Sequence, residues 1–193
     1  RWIGNGTFAD LIVVWARDVE DDSVKGFVVE KDMPGFTATK MEGKLALRGV
    51  QNADLVLDGV RVPEANRLAK ANRFKDTNAV LRHTRGGVAW SSVGAMMAVY
   101  EVAVQYAADR VQFGRPIGEF QLIQLKLAQM EVARLNVENL VFRVLELGQA
   151  GKTMSLAEAS AMKLYAAGAA TDVALEAVQV VGGDGYMAGD GAE

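Results

Sequence analysis

Two kinds of hydrophobic periodicity divide the chain. Up to about residue 63, apolar residues come in short runs of β-branched and aromatic type; beyond about residue 74 they recur at helical spacing. Asp10 to Ala16 and Val24 to Glu30 predict two strands, and the acidic tip Glu20-Asp21-Asp22-Ser23 between them predicts a hairpin. Met33-Pro34-Gly35 marks a turn. Phe36 to Leu47 reads as another extended stretch, weakened by Gly43, and Ala53 to Val62 as the next, with a turn at Asp58-Gly59 and closure at Pro63. Strands this short and evenly spaced suggest part of a sheet sandwich or barrel, which four strands cannot close.

The second pattern predicts three long helices. The first runs through Val88, Val93, Met97, Tyr100 and Val104 toward Arg110 and breaks at Gly114-Arg115-Pro116. The second spans Glu119 to Leu147, with Ile123, Leu127, Met130, Val137, Val141 and Val144 on one face. After a break at Gly148 to Thr153, Ser155-Leu156-Ala157-Glu158 reads as a capping box. The alanine-rich helix that follows stops at Gly182-Gly183. Long helices on short loops make an antiparallel bundle, whose Met, Leu and Val stripes are its core. The expected fold class is α+β: a partial β-sheet domain over 1–65, then a helical-bundle domain over 66–193, with the polar stretch Ala65 to Asp76 as the linker.

Composition narrows the function more than the fold. Of the 193 residues, 50% are hydrophobic and 23% charged, which suits a packed core rather than a disordered chain. A net charge of −3 makes no electrostatic case for nucleic acid or an anionic membrane. Cysteine is absent, which excludes disulfides, thiolate metal sites and cysteine nucleophiles and agrees with a cytoplasmic location. Charged residues interrupt the apolar stretches, so no membrane span is expected.

Most catalytic constellations are missing. With His83 as the sole histidine, a multi-histidine metal site is impossible. The glycines at 182, 183 and 185 follow a helix instead of opening one, so a dinucleotide-binding reading fails on context. Three polar clusters remain, each with two readings. Arg110, Gln112 and Phe113 are a charged helix end, or a set that pairs with phosphate and stacks on a ring. Arg82, His83, Thr84 and Arg85, beside Gly86-Gly87, are a solvated helix start or a grip on an acidic cofactor tail. Gln179, Val180, Val181, Gly182 and Gly183 form a glycine C-cap or a ligand cradle. Trp2 is a core aromatic or a stacking surface for a flat ring.

Taken in order, these segments resemble the acyl-CoA dehydrogenase family. Trp2-Ile3-Gly4-Asn5 with Ala9-Asp10 resembles the start of its flavin-facing β-segment, and Leu57-Asp58-Gly59-Val60-Arg61-Val62-Pro63 the end of its β-domain. Arg110-Val111-Gln112-Phe113-Gly114-Arg115-Pro116-Ile117, with Phe120-Gln121, resembles the helical-domain signature, and Gln179 through Gly185 a late glycine motif. Trp15-Ala16-Arg17 and Gly87-Val88-Ala89-Trp90 tilt the resemblance toward glutaryl-CoA dehydrogenases.

The resemblance implies FAD. Trp2, Ile3 and Gly4 would lie along its isoalloxazine ring, Gly4 replacing the hydroxyl residue usual in relatives. Arg110 (at the pyrophosphate), Gln112, Phe113, Phe120, Gln121 and Gln179 to Gly183 would reach the FAD of a neighbouring subunit. Arg82 to Arg85 match the acyl-CoA contact segment. The implied reaction is α,β-dehydrogenation of an acyl-CoA thioester, with electrons leaving through electron-transfer flavoprotein and a homotetramer as the assembly. The implied glutamate base belongs to a Tyr-Glu-Gly-Thr segment that does not occur here, and Glu193 sits too early to replace it. A chain opening on Arg1 and lacking that segment is therefore expected to be part of a longer enzyme. Two alternatives stay open: a non-catalytic assembly module, and an acyl-CoA oxidase variant.

Overall fold

A computed structural model describes residues 1–187, which fall into two compact units dividing after Thr77. The closing residues Gly189 to Glu193 lie outside the described residues.

The first unit holds strands β1 (Ile3–Gly4), β2 (Leu11–Arg17), β3 (Val24–Glu30), β4 (Phe36–Lys40) and β5 (Asn52–Leu57). β2 and β3 form the expected antiparallel hairpin, from Leu11↔Glu30 to Arg17↔Val24. Its tip is charged: Lys25 Nζ lies 2.5 Å from Asp18 and 3.0 Å from Asp21. The Ser23 hydroxyl, with Lys25 second, holds the Asp21 carboxyl down at about 2. The other sheet has the order β1-β5-β4, antiparallel throughout.

Three segments differ from the sequence expectation. β4 ends at Lys40 instead of continuing to Leu47. Lys44 folds the following loop on itself, its ammonium donating to the carbonyls of Leu47 (2.7 Å) and Val50 (2.6 Å) and to Asn52 Oδ1 (2.6 Å). β5 stops at Leu57, short of Val62: Asp58 N–H makes one more in-register bond, to the Gly35 carbonyl at 2.9 Å, and the chain then turns at Asp58-Gly59. Gly35 has φ +87° and a Cβ there would sit 2.0 Å from the Asp58 oxygen, so only glycine fits this turn. The expected linker is tied to β3 instead: Leu68 donates to the Gly26 carbonyl and Gly26 to that of Ala71, both at 2.9 Å.

The second unit consists of α1 (Thr77–Asp109), α2 (Gln121–Gln149) and α3 (Leu156–Val181), with a small hairpin of β6 (Val111–Gln112) and β7 (Arg115–Pro116) between α1 and α2. Cross-helix contacts fix their directions. Trp90 and Phe142 meet edge to face at 5.4 Å, joining the start of α1 to the end of α2. Arg85 Nη1 donates to Ser160 Oγ at 2.8 Å, joining the starts of α1 and α3. Lys126 pairs with Glu176, joining the start of α2 to the end of α3. The order is thus up, down, up, so α2 runs antiparallel to both neighbours. Ser155 caps α3 through the predicted box: its hydroxyl accepts from Glu158 N–H (3.2 Å) and Glu158 accepts from Ser155 N–H (2.7 Å).

The α2 stripe falls where its periodicity predicts: Met130, Val137 and Val141 are buried, with Ile123, Leu127 and Val144 packed against them. On α1 the expected face is only partly correct. Val93 is buried and Tyr100 half-buried, but Val88, Met97 and Val104 are exposed; Ala89, Met96, Ala103 and Ala107 take the core positions. The cause is composition. Between Gly86 and Ala108 the single charged residue is Glu101, so apolar spacing selects no face. The same stretch corrects the membrane expectation, since both α1 and α3 are long and apolar enough to cross a bilayer by length and composition. Their buried faces instead pack into one core shared with α2, which calls for the same composition.

Candidate functional site

The C-terminal end of α1 carries a short hairpin with several exposed polar and aromatic side chains. The β6–β7 turn is carried by Phe113 (φ +49°) and Gly114 (φ +80°), both left-handed, as a tight two-residue hairpin needs. That turn pushes Phe113 into solvent, 93% exposed. Its ring meets Phe120 edge to face at 6.2 Å, and the Arg115 guanidinium lies 4.3 Å over the Phe120 ring. Ile117 N–H donates to the Arg110 carbonyl at 2.8 Å and closes the hairpin. Arg110, Gln112 and Gln121 are exposed beside it, and no carboxylate among the described residues pairs with Arg110.

The glycine motif reaches the same end. Gly182, at φ +62°, caps α3, and a 3-10 turn over Gly182–Tyr186 follows. Tyr106 joins the two segments: its hydroxyl donates to Asp184 at 2.8 Å, and its carbonyl accepts from Arg110 N–H at 2.9 Å. The hydrogen bond to Asp184, then burial, raises the Tyr106 phenol above its ordinary value. Val180 and Val181 are core residues, which leaves Gln179, Gly182 and Gly183 as the motif's exposed members. Residues that lie far apart in sequence are thereby gathered at one end of the bundle. Tyr106 and Asp184, which do the gathering, carry no local sequence signal.

The basic segment sits toward the other end of α1. Arg85 and Arg110 are 25 residues apart along it, roughly 37 Å at 1.5 Å per residue. The helix also divides the segment between two surfaces. Thr84 and Arg85, with Ser160 and Lys163 of α3, line a groove of about 460 Å³; Arg82 and His83 line a separate cavity. Ser160 and Lys163 were not singled out from sequence, their spacing being that of an ordinary helix surface.

In the first unit, Trp2 (68% exposed, φ +63°) precedes β1, where Ile3 pairs with Ala53 and Gly4 with Asn52. Asn52 Nδ2 donates to the Trp2 carbonyl at 3.1 Å, and the Arg1 guanidinium lies 5.5 Å from the ring centroid while pairing with Asp54 at 3.0 Å. The Trp2 ring is thus exposed beside Arg1 and is not a core aromatic.

Comparison with known proteins decides the family. Residues 1–60 match the acyl-CoA dehydrogenase middle domain and residues 74–193 the acyl-CoA dehydrogenase C-terminal domain. The chain belongs to the acyl-CoA dehydrogenase family. It is 41% identical over 190 residues to an acyl-CoA dehydrogenase of Bacillus subtilis, covering 96% of this chain and 50% of that one. A glutaryl-CoA dehydrogenase from Mycobacterium smegmatis superposes with a TM-score of 0.91 at 39% identity, covering 96% of this chain and 47% of that one. A glutaryl-CoA dehydrogenase from the same organism in complex with FADH2 gives 0.92 at 32%, covering 99% and 49%. These structures share the small antiparallel sheets followed by long helices. The chain spans about half the length of these relatives.

The acyl-CoA dehydrogenase-type site residues fit a flavin dinucleotide by their chemistry. Such a ligand presents a flat ring system, a pyrophosphate dianion and an adenine. Trp2 offers an exposed ring, Arg110 an exposed guanidinium with no carboxylate partner among the described residues, and Gln179 with the cap glycines an amide beside accessible backbone. Among the described residues no cluster of His, Cys, Asp or Glu could hold a metal ion.

Proposed function

We propose that this chain is part of an FAD-dependent acyl-CoA dehydrogenase that forms an α,β-double bond in an acyl-CoA thioester, with glutaryl-CoA as substrate. The observation carrying this reading is the arrangement along α1. Two segments suited to cofactor contact are joined at one end through Tyr106, and a cationic segment lies roughly 37 Å away. The resemblance implies that Arg110 and the glycine motif reach the FAD of a neighbouring subunit, and the separation of the two ends of α1 accords with their serving two sites. The reading is that Arg110 and Gln179 to Gly183 hold the FAD of a second copy, while Arg85 serves substrate in its own. Such reciprocity makes a dimer the functional unit, and a homotetramer the proposed assembly.

Each residue then has a defined task. Arg110 pairs with the pyrophosphate, Phe113 and Phe120 cover the cofactor against water, and Gln179 meets the adenine edge. Trp2 and the backbone of Ile3 and Gly4 lie along the ring system; Gly4 brings no hydroxyl to it. Arg85, steadied by Ser160, and Lys163 present positive charge to the acyl-CoA. Bound FAD supplies the hydride acceptor for the β-hydrogen, while a carboxylate base takes the α-proton. We assign that base to no residue of this chain. Electron-transfer flavoprotein is the proposed acceptor.

The test is anaerobic titration of the full-length protein, followed by its flavin absorbance. The reading expects copurified FAD, bleaching by glutaryl-CoA in preference to butyryl-CoA, and reoxidation by electron-transfer flavoprotein. Preference for butyryl-CoA would correct the substrate, and rapid reoxidation by oxygen would favour the oxidase alternative. Protein that binds no flavin would contradict the proposal.

A further inference from the structure

The cavity lined by Arg82 and His83 is used by neither group above. It lies among the start of α1, the end of α2 and the α2–α3 loop, and encloses about 200 Å³. Pockets that enclose a whole drug-sized ligand usually begin at about 300 Å³, so this one suits a single chemical group or the end of a larger molecule. Its polar lining is cationic. Arg82 and His83 come from α1, and Lys152 and Thr153 from the loop, over an apolar floor that includes Met154 and Met162. No carboxylate lines it, and neither Arg82 nor Lys152 has a carboxylate partner among the described residues.

Two further observations bear on what the cavity could hold. Arg82 Nε is buried and has no hydrogen-bond partner among the described residues. A buried donor of a charged group is costly when left unmet, and an anionic acceptor satisfies it best. The loop is also held in place. Lys152 N–H donates to the Leu147 carbonyl at 2.8 Å and Gly151 N–H to that of Gly148 at 3.0 Å, a helix-ending wrap in which Gly151 has φ +68°. The backbone carrying Lys152 is therefore tied to the end of α2.

We propose that this cavity binds a phosphate monoester. A guanidinium, an ammonium, an imidazole and a hydroxyl together exceed what one carboxylate can accept, and they match the charge and oxygen count of a terminal phosphate. Two sources share that chemistry: the ribose 3′-phosphate of coenzyme A, and free inorganic phosphate. The first rests on the acyl-CoA reading; the second does not.

Calorimetry on the full-length protein separates them, using coenzyme A, 3′-dephospho-coenzyme A and inorganic phosphate, with Arg82→Gln and Lys152→Ala beside the wild type. If the 3′-phosphate is the ligand, coenzyme A binds about tenfold tighter than its dephospho form, and either substitution removes that difference. If free phosphate is the ligand, phosphate binds saturably and is lost in both variants, while the two coenzymes bind alike. Lys152 lies on an exposed loop, so Lys152→Ala keeps the test decisive if Arg82→Gln disturbs folding. Coenzyme A binding that neither variant alters, with no saturable phosphate binding, overturns this site and leaves the acyl-CoA reading standing. Phosphate binding lost in the variants, in a protein that ignores coenzyme A, upholds the site and overturns that reading.

Discussion

The two ends of the helical unit are built in different ways. At the end that carries Arg110, two backbone turns set position, a hairpin on two left-handed residues and a glycine cap, and one side-chain bond, Tyr106 to Asp184, ties them together. At the end that carries Arg85, position is set by side chains, through the Arg85–Ser160 bond and the capping box of Ser155 and Glu158. The first arrangement suits a ligand that several fixed groups must meet together. The second leaves long cationic side chains at the rims of open grooves, which suits a flexible, highly charged ligand.

The largest effect should come from neither end, and it sets the baseline for the rest. Met130 is 1% exposed in the layer joining the helices, and Met130→Ala should cost about 2–5 kcal/mol in chemical denaturation. Next, Arg110→Ala should weaken flavin binding by at least about tenfold, roughly 1.4 kcal/mol or more, and leave the unfolding midpoint of the apoprotein unchanged. Retained flavin in that variant would break the distinction between the ends.

Tyr106→Phe sharpens the same comparison. It should cost about 1 kcal/mol and speed amide exchange over 182–186, while exchange at the Ser155 end stays as in the wild type.

Ser155→Ala probes the opposite end, at about 1 kcal/mol and with no change in flavin content. Its effect should depend on pH. The Ser155 backbone amide, then its hydroxyl, hold the Glu158 carboxyl below its ordinary value. That contribution is complete above the unfolded carboxylate value near 4.5 and is lost as pH falls through the lower folded value. The gap between wild type and Ser155→Ala should therefore narrow in acid, as thermal melts would show.

Much of this architecture was legible in the sequence where the signal was local. The β2–β3 hairpin, the α2 stripe and the Ser155 box each declare themselves within a few residues. The α1 face was not legible, because alanines take core positions while valines at competing positions stay exposed. Nor was the end of β4, decided by one lysine turning back on the carbonyls of its own loop. The motifs pointed to Arg110 and to Gly182 separately. Their gathering at one end depends on a bond between residues 106 and 184, which no sequence spacing announces.

The central claim is that the two ends of one α1 serve different active sites, and mixed oligomers test it most directly. Arg85→Ala and Arg110→Ala, each expected to be inactive alone, would be co-expressed in the full-length protein and assayed for acyl-CoA-dependent flavin reduction. If Arg85 and Arg110 of different copies build one site, each mixed pair contains one site with both residues intact, and activity returns. If activity stays at the level of the two variants purified separately, both residues act within one copy, and the account is contradicted.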